Sequence, residues 1–269
     1  MLGSSRESLA ALGSALDARS GESGFASTPD DLLAVASLLA REKSLRQALA
    51  DSGQPAGVRS GIVSQLFGSQ LSDTSVAVLV DAVSTRWSDD DDLVEALERL
   101  GGRAAFTQAD RDGALDRVED ELFRFGRAVD SSAELQMAMT DPALPDERKT
   151  ALVQQLVGAT AAPVTTRLLT HLAANLRGRQ PVMAVEELAE RAAEQRRRLL
   201  AEVRSAVDLT AEQRTRLAAA LSALQGREVR VNVVVDPSVV GGIVVRVGDD
   251  VIDGSVASRL EQARRAVTA

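Results

Sequence analysis

Residues 229–262 read VRVNVVVDPSVVGGIVVRVGDDVIDGSVASRLEQ, and this stretch decides the C-terminal fold. Residues 229–235 alternate and are rich in Val, the pattern of a half-buried strand. Asp236-Pro237-Ser238 interrupts them with turn chemistry, and 243–247 forms a second strand after Gly241-Gly242. Gly248-Asp249-Asp250 turns into a third, short strand at 251–253 that carries Ile252 and Asp253. Gly254-Ser255 then opens a last helix with Val256, Leu260 and Val267 inward and Ser258 and Glu261 supporting its start. The glycines fall where strands begin, turn or end, positions that favour open dihedrals or close backbone approach. Asp236, Asp249, Asp250 and Asp253 could be imagined around a cation, but turn formation explains each of them.

Working upstream, Thr210 and Gln213 form a capping box for a helix with Leu217, Leu221 and Leu224 inward. Residues 205–269 therefore predict a helix–strand–strand–strand–helix domain of a size that can fold alone. Before it, 186–203 reads as one long polar helix. Its Arg196-Arg197-Arg198 triplet is surrounded by Glu190, Glu194 and Glu202, the pattern of a solvated face rather than a nucleic-acid contact.

From residue 4 to about 225 helical signals dominate. Residues 4–16 predict a first helix with Leu9, Leu12 and Leu16 on one face, and the Gly- and Ser-rich 19–28 a loop. Thr28-Pro29-Asp30-Asp31 is a helix start, with an N-cap hydroxyl, Pro at the first position and acids at the positive dipole end. Leu32, Val35, Ala36 and Leu39 then face inward. A shift of 90 residues brings this region onto the middle of the chain. Leu32 meets Leu122, Leu45 meets Leu135, Ala48 meets Ala138 and Asp51 meets Asp141; Pro55, Val63, Gln65, Leu66, Gly68 and Leu79 find the same residue at 145, 153, 155, 156, 158 and 169. In both copies Pro opens a helix and Gly closes it, which predicts two related helical units. Each ends in an apolar helix face, Val76, Leu79, Val80 and Val83 in the first and Val164, Leu168, Leu172 and Leu176 in the second. The expected fold is mainly α: units 1–108 and 109–204, then a small C-terminal α/β domain at 205–269 with a short sheet.

Composition bounds the chemistry. The chain has 269 residues, beyond the length at which one core usually stops growing. It holds no Cys, which excludes disulfides, thiol nucleophiles and thiolate metal sites. Its single His, His171, lies between Leu168 and Leu172 and reads as a packed or surface side chain. Five Phe, one Trp and no Tyr leave few aromatic platforms for bases or flavins. The net charge is −8, and the acids concentrate in the first 108 residues, which argues against a phosphate backbone and suits a basic protein partner. No phosphate loop, nucleophile elbow or zinc-helix motif occurs, and Asp89–Asp92 reads as acids at a helix start. The longest apolar run, 76–80, is too short for direct membrane insertion. The chain is expected to be no enzyme and to need no nucleotide, metal or cofactor.

The ordered string Asp236-Pro237, Gly241-Gly242, Arg246-Val247-Gly248, Ile252-Asp253-Gly254-Ser255 and Leu260 resembles the C-terminal signature of the F-type ATP synthase delta subunit. That family includes the mitochondrial oligomycin-sensitivity-conferring protein. The resemblance implies a non-catalytic stator component of a proton-translocating ATP synthase, peripheral on the cytoplasmic face of the cell membrane. Its helical bundle would grip N-terminal segments of the alpha subunits, and its C-terminal region would join the b subunit of the peripheral stalk. Ordinary members have one helical unit, so the second is a departure. The expectation is that the copy next to the signature domain holds the usual alpha position and that the first copy adds a contact. Leu9, Leu12, Leu16, Leu168 and Leu172 are the candidate lining of a groove for partner helices. The rival reading is a free-standing helical-repeat adaptor for unrelated partners, which fits the duplication but not the signature.

Overall fold

The computed structural model describes residues 1, 3–198, 200–225, 229–237, 239, 241–247 and 250–254. The chain divides into two compact units, Met1–Ala193 and Glu194–Ala269.

The first unit is built from α1 (Gly3–Ala18), α2 (Thr28–Arg41), α3 (Lys43–Ala50), α4 (Ala56–Phe67), α5 (Asp73–Ser84), α6 (Asp90–Arg111), α7 (Leu115–Asp130), α8 (Ala133–Thr140), α9 (Asp146–Val157), α10 (Pro163–Ala174) and most of α11 (Pro181–Arg198). The expected punctuation is present: Pro55 and Pro145 precede α4 and α9, and Gly68 and Gly158 follow them. Helices α3, α4 and α5 recur as α8, α9 and α10, each displaced by 90 residues at both ends. Leu32, Leu49, Val63, Val78, Leu79 and Val83 are buried, and so are their counterparts Leu122, Met139, Val153, Leu168, Leu169 and Ala173.

Three details differ from the sequence reading. Residues 19–26 are not plain loop but two short 3-10 turns that seat Phe25 in the core. The N-cap of α2 is Ser27 with no side-chain cap bond; its hydroxyl donates backward to the Gly24 carbonyl at 3.1 Å, and that of Thr28, the expected cap, does so at 3.3 Å. The expected division at 108/109 falls inside α6. That helix runs buried along most of its length, packing on α1, α2 and α3 and also on α7 and α10. It closes the first repeat and opens the second. Gly101 permits its close approach to α2, since a Cβ there would stand 2.9 Å from Leu33 Cγ.

The second unit holds β1 (Leu200–Ser205), α12 (Ala211–Gln225), β2 (Arg230–Val235), β3 (Ile243–Val247) and β4 (Asp250–Asp253). The sheet order is β2-β1-β3-β4, with β1 parallel to β2 and the other pairs antiparallel. The parallel pair requires a crossover, and α12 supplies it. Ala201, Val203, Val245 and Val247 are buried with Leu221 and Val229 as the core. The capping box forms as expected: Gln213 N donates to Thr210 Oγ1 at 3.2 Å and Thr210 N to Gln213 Oε1 at 2.9 Å.

Two expectations are corrected here. Residues 186–203 are not one helix, because α11 ends at Arg198 and β1 begins at Leu200. Alternation in β1 is carried by Ala201, Val203 and Ser205, two of them small, so it escapes a search for large apolar residues. Leu224, expected inward, is 68% exposed at the end of α12. The last helix, with Ser255, Leu260 and Val267, lies outside the described residues, as do Gly248 and the side chains of Arg196, Arg197 and Arg198.

Candidate functional site

The candidate groove residues divide between two places, both of them inside. Leu12 and Leu16 are buried in the core of the first repeat, with Leu9 partly buried beside them. Leu168 and Leu172, on α10, are 3% and 6% exposed. They line a small cavity of about 30 Å³ together with Leu33 of α2, Glu98 of α6, His171, and Ala184 and Leu188 of α11. Arg167 pairs with Asp30 at 2.5 Å across the same seam, and Ser37 Oγ lies 3.4 Å from His171 Nδ1. These leucines are enclosed within the chain and do not form the open floor of a groove. The reason is periodicity: a helix buries its large apolar stripe first, against the nearest neighbour of its own chain.

At the centre of this seam sits Glu98 of α6, 7% exposed. Its Oε2 accepts from Arg177 Nη2 at 2.9 Å and from Arg179 Nη2 at 3.3 Å, and His171 Nε2 stands 3.8 Å from Oε1. Burial pushes the Glu98 carboxyl up, and the positive side chains around it more than offset this, so its pKa lies below the usual glutamate value. At 3.8 Å the imidazole is a polar neighbour rather than a hydrogen-bond partner, so the two guanidiniums carry the lowering. Beside Glu98, Arg99 pairs with Glu187 of α11 at 3.0 Å. Sequence reasoning missed Glu98 entirely. Only its place three residues before the Gly101-Gly102 approach to α2 could have hinted that this carboxylate is enclosed.

A second polar device is repeated. Asp31 Oδ2, on α2, accepts from Ser75 Oγ at 2.7 Å and from Ser72 N at 3.3 Å, at the start of α5. Ninety residues on, Glu121 Oε2 accepts from Thr165 Oγ1 at 2.6 Å and from Ala162 N at 3.0 Å, at the start of α10. Burial raises the Glu121 carboxyl, but the Thr165, Ala162 and Arg117 donors bring it below the usual value.

The described signature residues of the second unit sit in turns and strand pairings. Asp236 N donates to Ser205 O at 2.9 Å, extending the β1–β2 pairing. Pro237 lies in the exposed turn that follows. Gly241 and Gly242 have φ of 70° and 77°, which only glycine adopts without strain. Ile252 pairs with Val245 and Asp253 with Val244 in the β3–β4 register. Gly254 N donates to Ile243 O at 3.0 Å, and a Cβ on Gly254 would stand 3.2 Å from that oxygen. Among the described residues no group of three or more His, Asp or Glu is placed to hold a metal, and no helix is long and apolar enough to cross a membrane.

The family model of the ATP synthase delta (OSCP) subunit matches residues 102–267. The chain belongs to that family. ATP synthase subunit delta of Streptomyces avermitilis is 45% identical over 98% of this chain and 97% of its own length. That of Frankia casuarinae is 44% identical over 99% of both chains. A chain of the Toxoplasma gondii mitochondrial ATP synthase hexamer is 26% identical, covering 64% of this chain and 98% of that chain at a TM-score of 0.32. The family model begins inside α6, so the first repeat lies ahead of it, whereas the Streptomyces and Frankia subunits share the full length. The protein is a non-catalytic stator subunit of the ATP synthase, as the signature implied. Full-length similarity to delta subunits leaves the free-standing adaptor reading without support.

Proposed function

We propose that the helical unit holds N-terminal segments of the alpha subunits and that the C-terminal unit joins the b subunit. The subunit then links the catalytic sector to the peripheral stalk on the cytoplasmic face of the cell membrane and resists rotor torque. The observation that carries this reading is the strand-and-turn signature from Asp236 to Gly254, attached to a purely helical unit in one chain of a delta-type family.

The covered state of Leu168 and Leu172 changes which copy is offered to alpha. Because Leu168 and Leu172 are enclosed within the chain, the outer surface of the first repeat, with its acidic excess, is the part we assign to alpha contact. A short amphipathic helix burying three Leu or Val side chains gains roughly 5–9 kcal/mol gross, at about 1.5–3 kcal/mol each. Association costs about 4–15 kcal/mol, so one such contact is marginal. Several weak contacts inside one assembly benefit from effective concentration, which suits a clamp that engages more than one chain.

The test is to purify the endogenous protein under mild conditions and identify what accompanies it. Alpha, beta and b subunits in stoichiometric amounts are expected. Recovery with an unrelated partner set and without alpha or b would refute the reading.

A further inference from the structure

The two repeats match helix for helix, yet one joint is fastened in the first and left open in the second. In the first repeat Arg46, on α3, donates from Nη1 to the carbonyls of Leu39 and Ala40 at 3.2 and 3.4 Å, and from Nε to Asp90 Oδ2 at 2.9 Å. Asp91 Oδ1 lies 3.4 Å from the same nitrogen. One side chain thus ties α3 to the end of α2 and to the start of α6. Ninety residues later Gln136 donates to the matching carbonyls, Val129 at 2.9 Å and Asp130 at 3.3 Å. The acidic half of the tie is missing there, because Gln180 and Pro181 stand where Asp90 and Asp91 would be. A cleft of about 390 Å³ opens at that place, lined by Ala133, Gln136, Met137, Thr140, Gln180 and Pro181.

Two further fasteners follow the same pattern. Buried Arg59, on α4, donates to the carbonyls of Val83 and Thr85 at the end of α5. Its counterpart Lys149 makes no such bond among the described residues. Phe67 is buried where α4 ends, and its counterpart Val157 is only half-buried.

We propose that the α8–α9 arm of the second repeat, residues 133–157, is a movable flap that opens locally from α10 and α11. The equivalent α3–α4 arm, residues 43–67, is latched shut. The subunit therefore has one stiff repeat and one deformable repeat built on the same helical plan. Opening uncovers Leu135, Met139 and Val153, which are otherwise enclosed.

Hydrogen–deuterium exchange on the full chain tests this, with rates corrected for intrinsic sequence effects. Amides of 133–157 are expected to exchange at least ~10-fold faster than those of 43–67, as befits a local opening well below the global unfolding energy. Supplying the missing latch with Gln136→Arg and Gln180→Asp should slow exchange in 133–157 about threefold or more, leaving 43–67 unchanged. Removing the existing one with Arg46→Gln should speed exchange in 43–67. Equal protection of the two arms in the unaltered chain would overturn the proposal, as would an Arg46→Gln protein whose first arm exchanges as before.

Discussion

Glu98 is the residue on which the seam between the repeats turns. It is an enclosed carboxylate facing two guanidiniums, and such a group destabilises strongly when its partners are left alone. Glu98→Gln should lower stability at neutral pH by about 1–3 kcal/mol, the range for hydrogen bonds to charged groups when the guanidiniums keep some access to water. The pH dependence has a definite sign. Glu98 titrates lower in the folded chain than in the unfolded one, so its contribution is complete above the unfolded value and fades as pH falls through the folded value. Urea unfolding of both proteins should therefore show a full difference at about pH 7 and a shrinking one below about pH 4.3. A difference that stayed constant into acid would mean that Glu98 acts by packing alone. Apart from the nearby Gly101-Gly102, the local sequence does not distinguish Glu98 from Glu95, because its partners Arg177 and Arg179 lie 79 and 81 positions away.

At the scale of the element, the two acid locks explain how α5 and α10 are held at their first turns. Asp31 accepts from the N–H and hydroxyl of Ser72 and the hydroxyl of Ser75, and Glu121 from the Ala162 N–H and the Thr165 hydroxyl. Glu121→Ala leaves the N–H of buried Ala162 and the hydroxyl of Thr165 without their acceptor, whereas Asp31→Ala orphans the N–H of Ser72 but leaves the Ser75 hydroxyl within reach of Thr28 Oγ1 at 3.3 Å and of Ser72 Oγ at 2.8 Å. Each substitution should cost about 1–3 kcal/mol in denaturant unfolding. The two losses should add within about 0.5 kcal/mol, since the locks share no partner. The loss at Glu121 should be the larger, because Ser75 keeps other partners, and a Glu121→Ala protein as stable as the unaltered chain would show that this lock is decorative. This repeat of function was hidden in the sequence because each of its three positions changed: Asp to Glu, Ser to Ala and Ser to Thr. The Pro and Gly punctuation was visible because those residues act through the backbone of their own position.

At the scale of the molecule, the sheet decides where the second unit can be cut. Strand β1 lies between β2 and β3, so a fragment starting at residue 205 lacks a central strand and exposes the edges of both neighbours. Residues 194–269 should give cooperative thermal unfolding with a mixed helix–strand circular dichroism spectrum. Residues 205–269, the division the periodicity first suggested, should show no cooperative transition, and a folded 205–269 fragment would contradict the pairing of β1. The helical class, the 90-residue recurrence, the turn-and-strand signature and hence the family were legible in the sequence alone. Each of these rests on periodicity or on backbone chemistry confined to a few adjacent residues. Long-range packing was needed to show that α6 serves both repeats, that β1 is a strand and that Leu168 and Leu172 are enclosed. Those outcomes depend on which of several apolar faces meet, and that is settled by packing between segments far apart in the chain.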